Sequence, residues 1–316
     1  MAEEMYAFSR LEGAFHRTKS LLWPPQWGVW LRLAVIALFV GGGISLPDVF
    51  QYNYGGSDLP PGVAGSLPGI VPLIVAFIVV VLAIALLWML AGAAMQFVFV
   101  DMLSTGDIHI RRFFRERLGK GVRLFLFQIA LIAVMILAVM AFVFMLFGLG
   151  GAGPGAAAPF LLIALIPAIL VVALLFGLVF LLTTDFVVPI MIREDCGVIQ
   201  GWRRLTGVIS AGFWQTVVYV IARFVLGLIA AIVQAILIIL SLLVIAIPFV
   251  LIGIVLIAAF QENIMNITLL LALAIPYLIV AIPVALLIAV PFITFFRYYA
   301  LLVLEGLEPE YRLLPE

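Results

Sequence analysis

The chain has 316 residues, 67% of them hydrophobic and 10% charged, and its 16 basic and 16 acidic side chains give a formal net charge of zero. A mean hydropathy of +1.36 excludes a water-soluble domain, which could not cover its surface with so few polar groups, and places the chain in a bilayer as an all-α integral membrane protein. One cysteine, Cys196, excludes an internal disulfide; two histidines, His16 and His109, leave no recognisable zinc site, so neither a metal nor another cofactor is expected.

The opening 26 residues read as an amphipathic surface helix. Phe8, Leu11, Phe15 and Leu22 recur at helical spacing among Arg10, Arg17 and Lys19, and Trp23-Pro24-Pro25 closes the segment. A secretory signal fits less well, because the polar part is long and patterned and no small-residue cleavage site follows the apolar core. The first predicted span covers 27–46, near the ~20 residues needed to cross ~30 Å of hydrocarbon. After it, 47–68 is rich in Gly, Pro, Tyr and Asp and holds no Lys or Arg. A second span, 69–103, carries Asp101 near its end.

Residues 111–123 hold six cations, Arg111, Arg112, Arg115, Arg117, Lys120 and Arg123, among Ile110, Phe113, Phe114 and Leu118. Such a cluster orients a membrane protein and meets anionic headgroups; nucleic acid is not an expected partner. The third span covers 121–147. Gly148, Gly150 and Gly153 then show G-x-G-x-x-G spacing, but a dinucleotide site needs that pattern between a strand and a helix, whereas here it joins two spans. A fourth span, 159–192, carries Asp185 and leaves through Pro189 into a segment with Arg193, Arg203 and Arg204. There Val198, Ile199, Trp202, Leu205 and Ile209 would share one face of a surface helix.

Residues 212–260 have room for two spans. The expected form is one long helix, a break near Pro248, and a re-entrant or outer-surface segment at 244–260. A sixth span then runs from 268 through Pro276, Pro283 and Pro291 to 304. These choices follow from repetition: Gly28, Gly121 and Gly212 each open an apolar run and lie 93 and 91 residues apart. Fixed-period similarity points to three units, 5–103, 104–192 and 193–304, each a surface helix plus a membrane hairpin, in a single membrane domain with a tail at 305–316. In this six-span topology no Lys or Arg falls in an outer loop, and all but Arg223 lie on or near the cytoplasmic side, as the positive-inside rule requires. The sequon Asn266-Ile267-Thr268 would face outside, too close to the membrane to be modified.

Ionisable groups deep in a span are costly unless paired or hydrated. Helix rise puts Asp185 and Arg223 at similar depths, roughly 12 to 16 Å from the inner surface, so they are the first expected pair. Asp101 with Arg32 or Arg123 is the second. Such pairs would either pin helix register or line a polar cavity open to the cytoplasm, with Gln96, Gln128, Gln215 and Gln234 as further candidates. Headgroup contact is expected from Arg111, Arg112, Arg115, Arg117, Lys120, Arg203 and Arg204. No nucleophile and base occur in a recognisable constellation, so an enzyme is not expected.

The phrases WLRLAVIALFVGGG, FVFVDMLSTGDIHIRRFFRERLGKGVRLFLF and DFVVPIMIREDCGVIQGWRRL resemble those of an uncharacterised family of polytopic membrane proteins from archaea. That resemblance implies a cytoplasmic membrane and an archaeal source, but no catalytic residue. More distantly, the grammar is similar to the membrane domain of some glycerophosphodiester phosphodiesterases, whose catalytic residues lie in a separate soluble domain. The leading expectation is a non-catalytic protein that organises lipid, a membrane-protein partner or a second copy of itself through basic cytoplasmic helices. The alternative is a transporter, channel or lipid-moving protein with a polar path near Asp185 and Arg223. A polar cavity holding both residues would favour the alternative, and a dry core would favour the first.

Overall fold

The computed structural model describes residues 6–40, 63–107, 109–149, 158–259 and 266–315. Regular structure there is entirely helical, in the order α1 (Tyr6–Leu22), α2 (Trp27–Val40), α3 (Val63–Thr105), α4 (Ile110–Leu149), α5 (Ala158–Leu182), α6 (Val188–Arg193), α7 (Val198–Ala211), α8 (Phe213–Ala259) and α9 (Asn266–Leu307). A π-helical turn, Thr183–Val187, joins α5 to α6, and a 3-10 turn, Pro309–Tyr311, follows α9. Five of these helices, α3, α4, α5 (continued through α6), α8 and α9, are long and apolar enough to cross a membrane. The α2 helix is apolar but only 14 residues long. The expected outer features at 41–62, 150–157 and 260–265 lie outside the described residues.

Packing is concentrated at one end of the bundle, where α3 and α9 finish, α4 and α8 begin, and α1 and α7 lie against them. We call this the basic end, since Arg111, Arg112, Arg115, Arg203 and Arg204 gather there. The small face of α1, Ala7, Ala14 and Thr18, is buried, and Gly13 faces Leu302. Small side chains let helix backbones approach without needing a hydrophobic drive, which lipid does not supply. The larger Phe8 and Phe15, expected on the apolar face of α1, point outward and are exposed. On α7, Val198, Gly201, Leu205 and Val208 are buried while Ile199 is exposed.

Two expectations are corrected here. The second cationic segment is not a separate surface helix: residues 110–149 form one rod, because Gly121 continues the helix and lies so close to α3 that a Cβ there would come within 2.8 Å of the Ala94 backbone. By contrast, the corresponding junctions at Trp23-Pro24 and Gly212 interrupt their helices. Secondly, α8 does not break near Pro248, and 244–259 continues the same helix rather than forming a separate re-entrant or surface segment. The reason is a partner of matching length, since α9 supports this part of α8 through the Phe249 and Tyr277 rings, 5.6 Å apart, and through Leu273 against Gly253. Neighbouring helices commonly tolerate a proline in a membrane helix in this way. The expected tail at 305–316 packs back against the fold, since Tyr311 and Leu314 are buried and the Tyr311 hydroxyl donates to Glu194 Oε1 at 2.7 Å.

Candidate functional site

The π-helical turn is where the site is built. In an α-helix the carbonyl of Thr184 would accept from the N–H of Val188, but that N–H goes to Thr183 O instead. The next candidate donor, one residue on, is Pro189, which has no N–H. The Thr184 carbonyl is therefore left without a partner in its own helix, and Arg297 of α9 supplies one, with Nη1 donating at 2.7 Å. π-Turns inside α-helices often mark functional positions.

Around this carbonyl, Asp185 receives two bonds on one oxygen. Tyr219 donates its hydroxyl to Oδ2 at 2.8 Å, and Arg223 Nε donates to the same atom at 3.3 Å. Arg297 Nη2 also donates to Gln96 Oε1 of α3. The Arg223 guanidinium lies 3.8 Å from the centroid of the Phe296 ring, a cation–π contact from the residue next to Arg297. Asp185 and Arg297 are 5% and 4% exposed, so both ions are withdrawn from solvent within the protein. Gln96, Asp185, Arg223 and Arg297 sit eight to ten residues from the basic-end termini of their segments, about 12 to 15 Å at the helical rise.

A cavity of about 470 Å³ opens on these groups, with Gln96, Asp185, Arg223 and Arg297 at its base and Gly177, Gly227, Ala230, Ala231 and Gln234 along its walls. The small residues make room, and Gly227 is 3.7 Å from Arg223 Nη1 by way of the Cβ it lacks. On the side toward the basic end the floor is dense. Phe186 and Tyr219 rings meet at 4.7 Å, Tyr219 and Tyr299 at 5.4 Å, and Trp202 Nε1 of α7 donates to Thr183 Oγ1 at 3.1 Å. The cavity thus extends away from the basic end, opposite to the opening expected from the sequence.

Asp185 and Arg223, then, lie within hydrogen-bond reach. Asp101 does not pair with Arg32 or Arg123: its partner is Arg117, whose Nε and Nη2 donate at 2.6 and 3.2 Å. The α3–α4 hairpin sets Arg117 opposite Asp101, whereas Arg32 lies exposed beside the start of α4 and Arg123 is exposed on α4. Two expected headgroup contacts also point inward. Arg117 is taken by Asp101, and Lys120 Nζ donates to the Met191 carbonyl at 2.8 Å and meets Asp195 Oδ1 at 2.6 Å. Lys120 thereby caps the end of α6, and its charge holds the Asp195 carboxyl below the ordinary aspartate range.

Arg111, Arg112 and Arg115 remain exposed, and with Arg32, His109 and Glu116 they line a concavity of about 720 Å³. Arg203 is exposed too, while Arg204 pairs with Glu194 at 3.1 Å, both beside a second concavity of about 760 Å³. Of the glutamines, Gln96 and Gln234 line the central cavity, Gln128 is buried in α4, and Gln215 accepts from the Tyr6 backbone N–H at 3.2 Å. Sequence reasoning missed Arg297 and Tyr219 as site residues. Counting residues back from the end of the last span would have found Arg297 at the depth of Asp185, and Tyr219 is one turn before Arg223. Among the described residues no three His, Cys, Asp or Glu side chains gather as a metal site.

Several long apolar helices around a small buried ionic cluster define a helical membrane protein. The chain belongs to a family of unknown function (DUF7544), which matches residues 5–314. No curated protein and no solved structure matches it.

Proposed function

We propose that this is a non-catalytic, multi-pass protein of the cell membrane, with both termini cytoplasmic, that binds anionic lipid headgroups at its basic end. The observation that carries this reading is the concavity lined by Arg32, Arg111, Arg112 and Arg115. Trp23, Trp27, Phe213 and Trp214 are exposed at the same end, as aromatic side chains are where a membrane meets water. Six spans in three repeats, with α2 as the first, complete the proposal, and the likeness to archaeal polytopic proteins agrees with it.

The headgroup reading is tested by purifying the protein in mild detergent and quantifying retained phosphatidylglycerol by mass spectrometry. The triple variant R111Q/R112Q/R115Q is expected to lose most of the retained anionic lipid while keeping zwitterionic lipid. Unchanged retention would sink the idea. Topology is tested by single cysteines at Gly153, Gln261 and Glu308 in a chain lacking Cys196. Six spans require labelling of the first two from outside and of the third only from inside; labelling of 261 from inside or of 308 from outside would break this topology.

A second reading, a transporter, channel or lipid-moving protein, is favoured by one specific observation: Asp185 and Arg223 line a cavity rather than a dry core.

A further inference from the structure

The ionic cluster at the base of the central cavity does not balance. Two guanidinium groups, Arg223 and Arg297, face one carboxylate, and that carboxylate bonds Arg223 and Tyr219. Arg297 is bonded to two neutral acceptors, the Thr184 carbonyl and Gln96 Oε1, and among the described residues it has no carboxylate partner. A guanidinium offers five N–H donors. Arg297 uses two of them on described partners and Arg223 uses one, leaving three and four for whatever occupies the cavity. A buried charge left uncompensated is strongly unfavourable, and a planar fork of donors is the group that best matches a phosphate or carboxylate.

We propose that the cavity is a binding site for one anionic group, a phosphate or carboxylate, held between Arg223 and Arg297. Asp185 is the positioning residue: with Tyr219 it fixes Arg223 Nε, so that the remaining donors of Arg223 lie toward Gly227 and the open cavity. Gln96 and the Thr184 carbonyl fix Arg297 in the same way. Because the aromatic floor closes the side toward the basic end, the anion enters from the opposite side or laterally between the helices. The same chemistry would suit a lipid headgroup or a free anion. This inference deepens the second reading by naming a ligand class, and it does not depend on the headgroup surface at Arg111, Arg112 and Arg115.

The test is binding to the purified full chain in neutral detergent micelles, followed by calorimetric titration. The probes are inorganic phosphate, dihexanoyl phosphatidate and, as an uncharged control, dihexanoylglycerol. Saturable binding of an anionic probe is expected, weakened about ten-fold or more in Arg297→Gln. Gly227→Leu keeps every charge but fills the cavity, and it should abolish binding even if Arg297→Gln fails to fold. The surface triple variant R111Q/R112Q/R115Q should bind as the parent does. Equal binding of phosphate and phosphatidate would assign a free anion, and binding of phosphatidate alone a lipid. Absence of saturable binding, or affinity unchanged in Gly227→Leu and lost in the surface triple variant, would overturn the proposal.

Discussion

At the basic end Phe97, Phe99, Phe186, Tyr219 and Tyr299 are all but fully enclosed, whereas Phe77, Leu87, Leu174, Phe224 and Leu243, farther along the same helices, leave more than half their surface uncovered. Hydropathy would predict the opposite, since the enclosed group includes two tyrosines and the uncovered one three leucines. What differs is company: the enclosed residues lie among Gln96, Asp101, Asp185 and Arg297, whereas the uncovered ones, apart from Phe224 beside Arg223, lie in stretches of apolar residues. In lipid, apolar side chains gain little from leaving the solvent, so polar bonds and close backbone contact decide where helices meet. Helix association here is therefore expected to depend on the basic end and to tolerate change along the outer lengths.

The largest contrast should come from paired truncations. Phe186→Ala leaves a void in the floor of the cavity and is expected to cost about 3–5 kcal/mol, while Leu87→Ala should cost about 0.5 kcal/mol or less, read from unfolding in micelles. Equal costs would break the comparison. Next, Arg117→Gln strands a buried carboxylate and should cost about 3 kcal/mol, with part of the loss recovered when Asp101→Asn is added. A third pair uses glycine. Gly121→Ala drives a methyl into the Ala94 backbone and should cost about 1–3 kcal/mol, whereas Gly177→Ala meets open space in α5 and should gain up to about 1 kcal/mol.

The smallest effect is a pH dependence at Asp195. Its folded-state pKa is depressed by Lys120, so its contribution is present above the ordinary aspartate value and disappears as pH falls through the depressed one. Asp195→Asn should slightly lower stability at neutral pH and leave it unchanged below the depressed pKa, which flattens the acid limb of a stability-versus-pH curve; an unchanged acid limb would mean that Lys120 acts on the Met191 carbonyl alone.

Much of the fold is legible in the sequence because hydropathy and helix rise are local properties. Five long apolar helices, and the similar depths of Asp185 and Arg223, follow from counting residues. What could not be counted is which helix faces which. The partner of Asp101 depends on the rotation of α4 against α3, set by the contact of Gly121 with Ala94, and six nearby cations offered no means of choosing among them. The unbroken course of α8 past Pro248 likewise depends on how α9 packs against it, a contact that local pattern does not register. Arg297 was hidden by convention: a cation near the end of a span reads as an orientation signal, and only the freed carbonyl of Thr184 shows why this one turns inward.

The α8–α9 hairpin carries a mechanical implication. Helices of 47 and 42 residues extend about 70 and 63 Å at ~1.5 Å per residue. Typical bilayer hydrocarbon is ~30 Å thick, so upright helices of this length, apolar nearly throughout, overrun it by a factor of about two. Leaning, local thickening of the lipid, or association of several hairpins relieves such a mismatch, and each becomes less costly as the membrane becomes thicker. Bilayer thickness is thus a physical variable to which this protein is coupled by geometry alone.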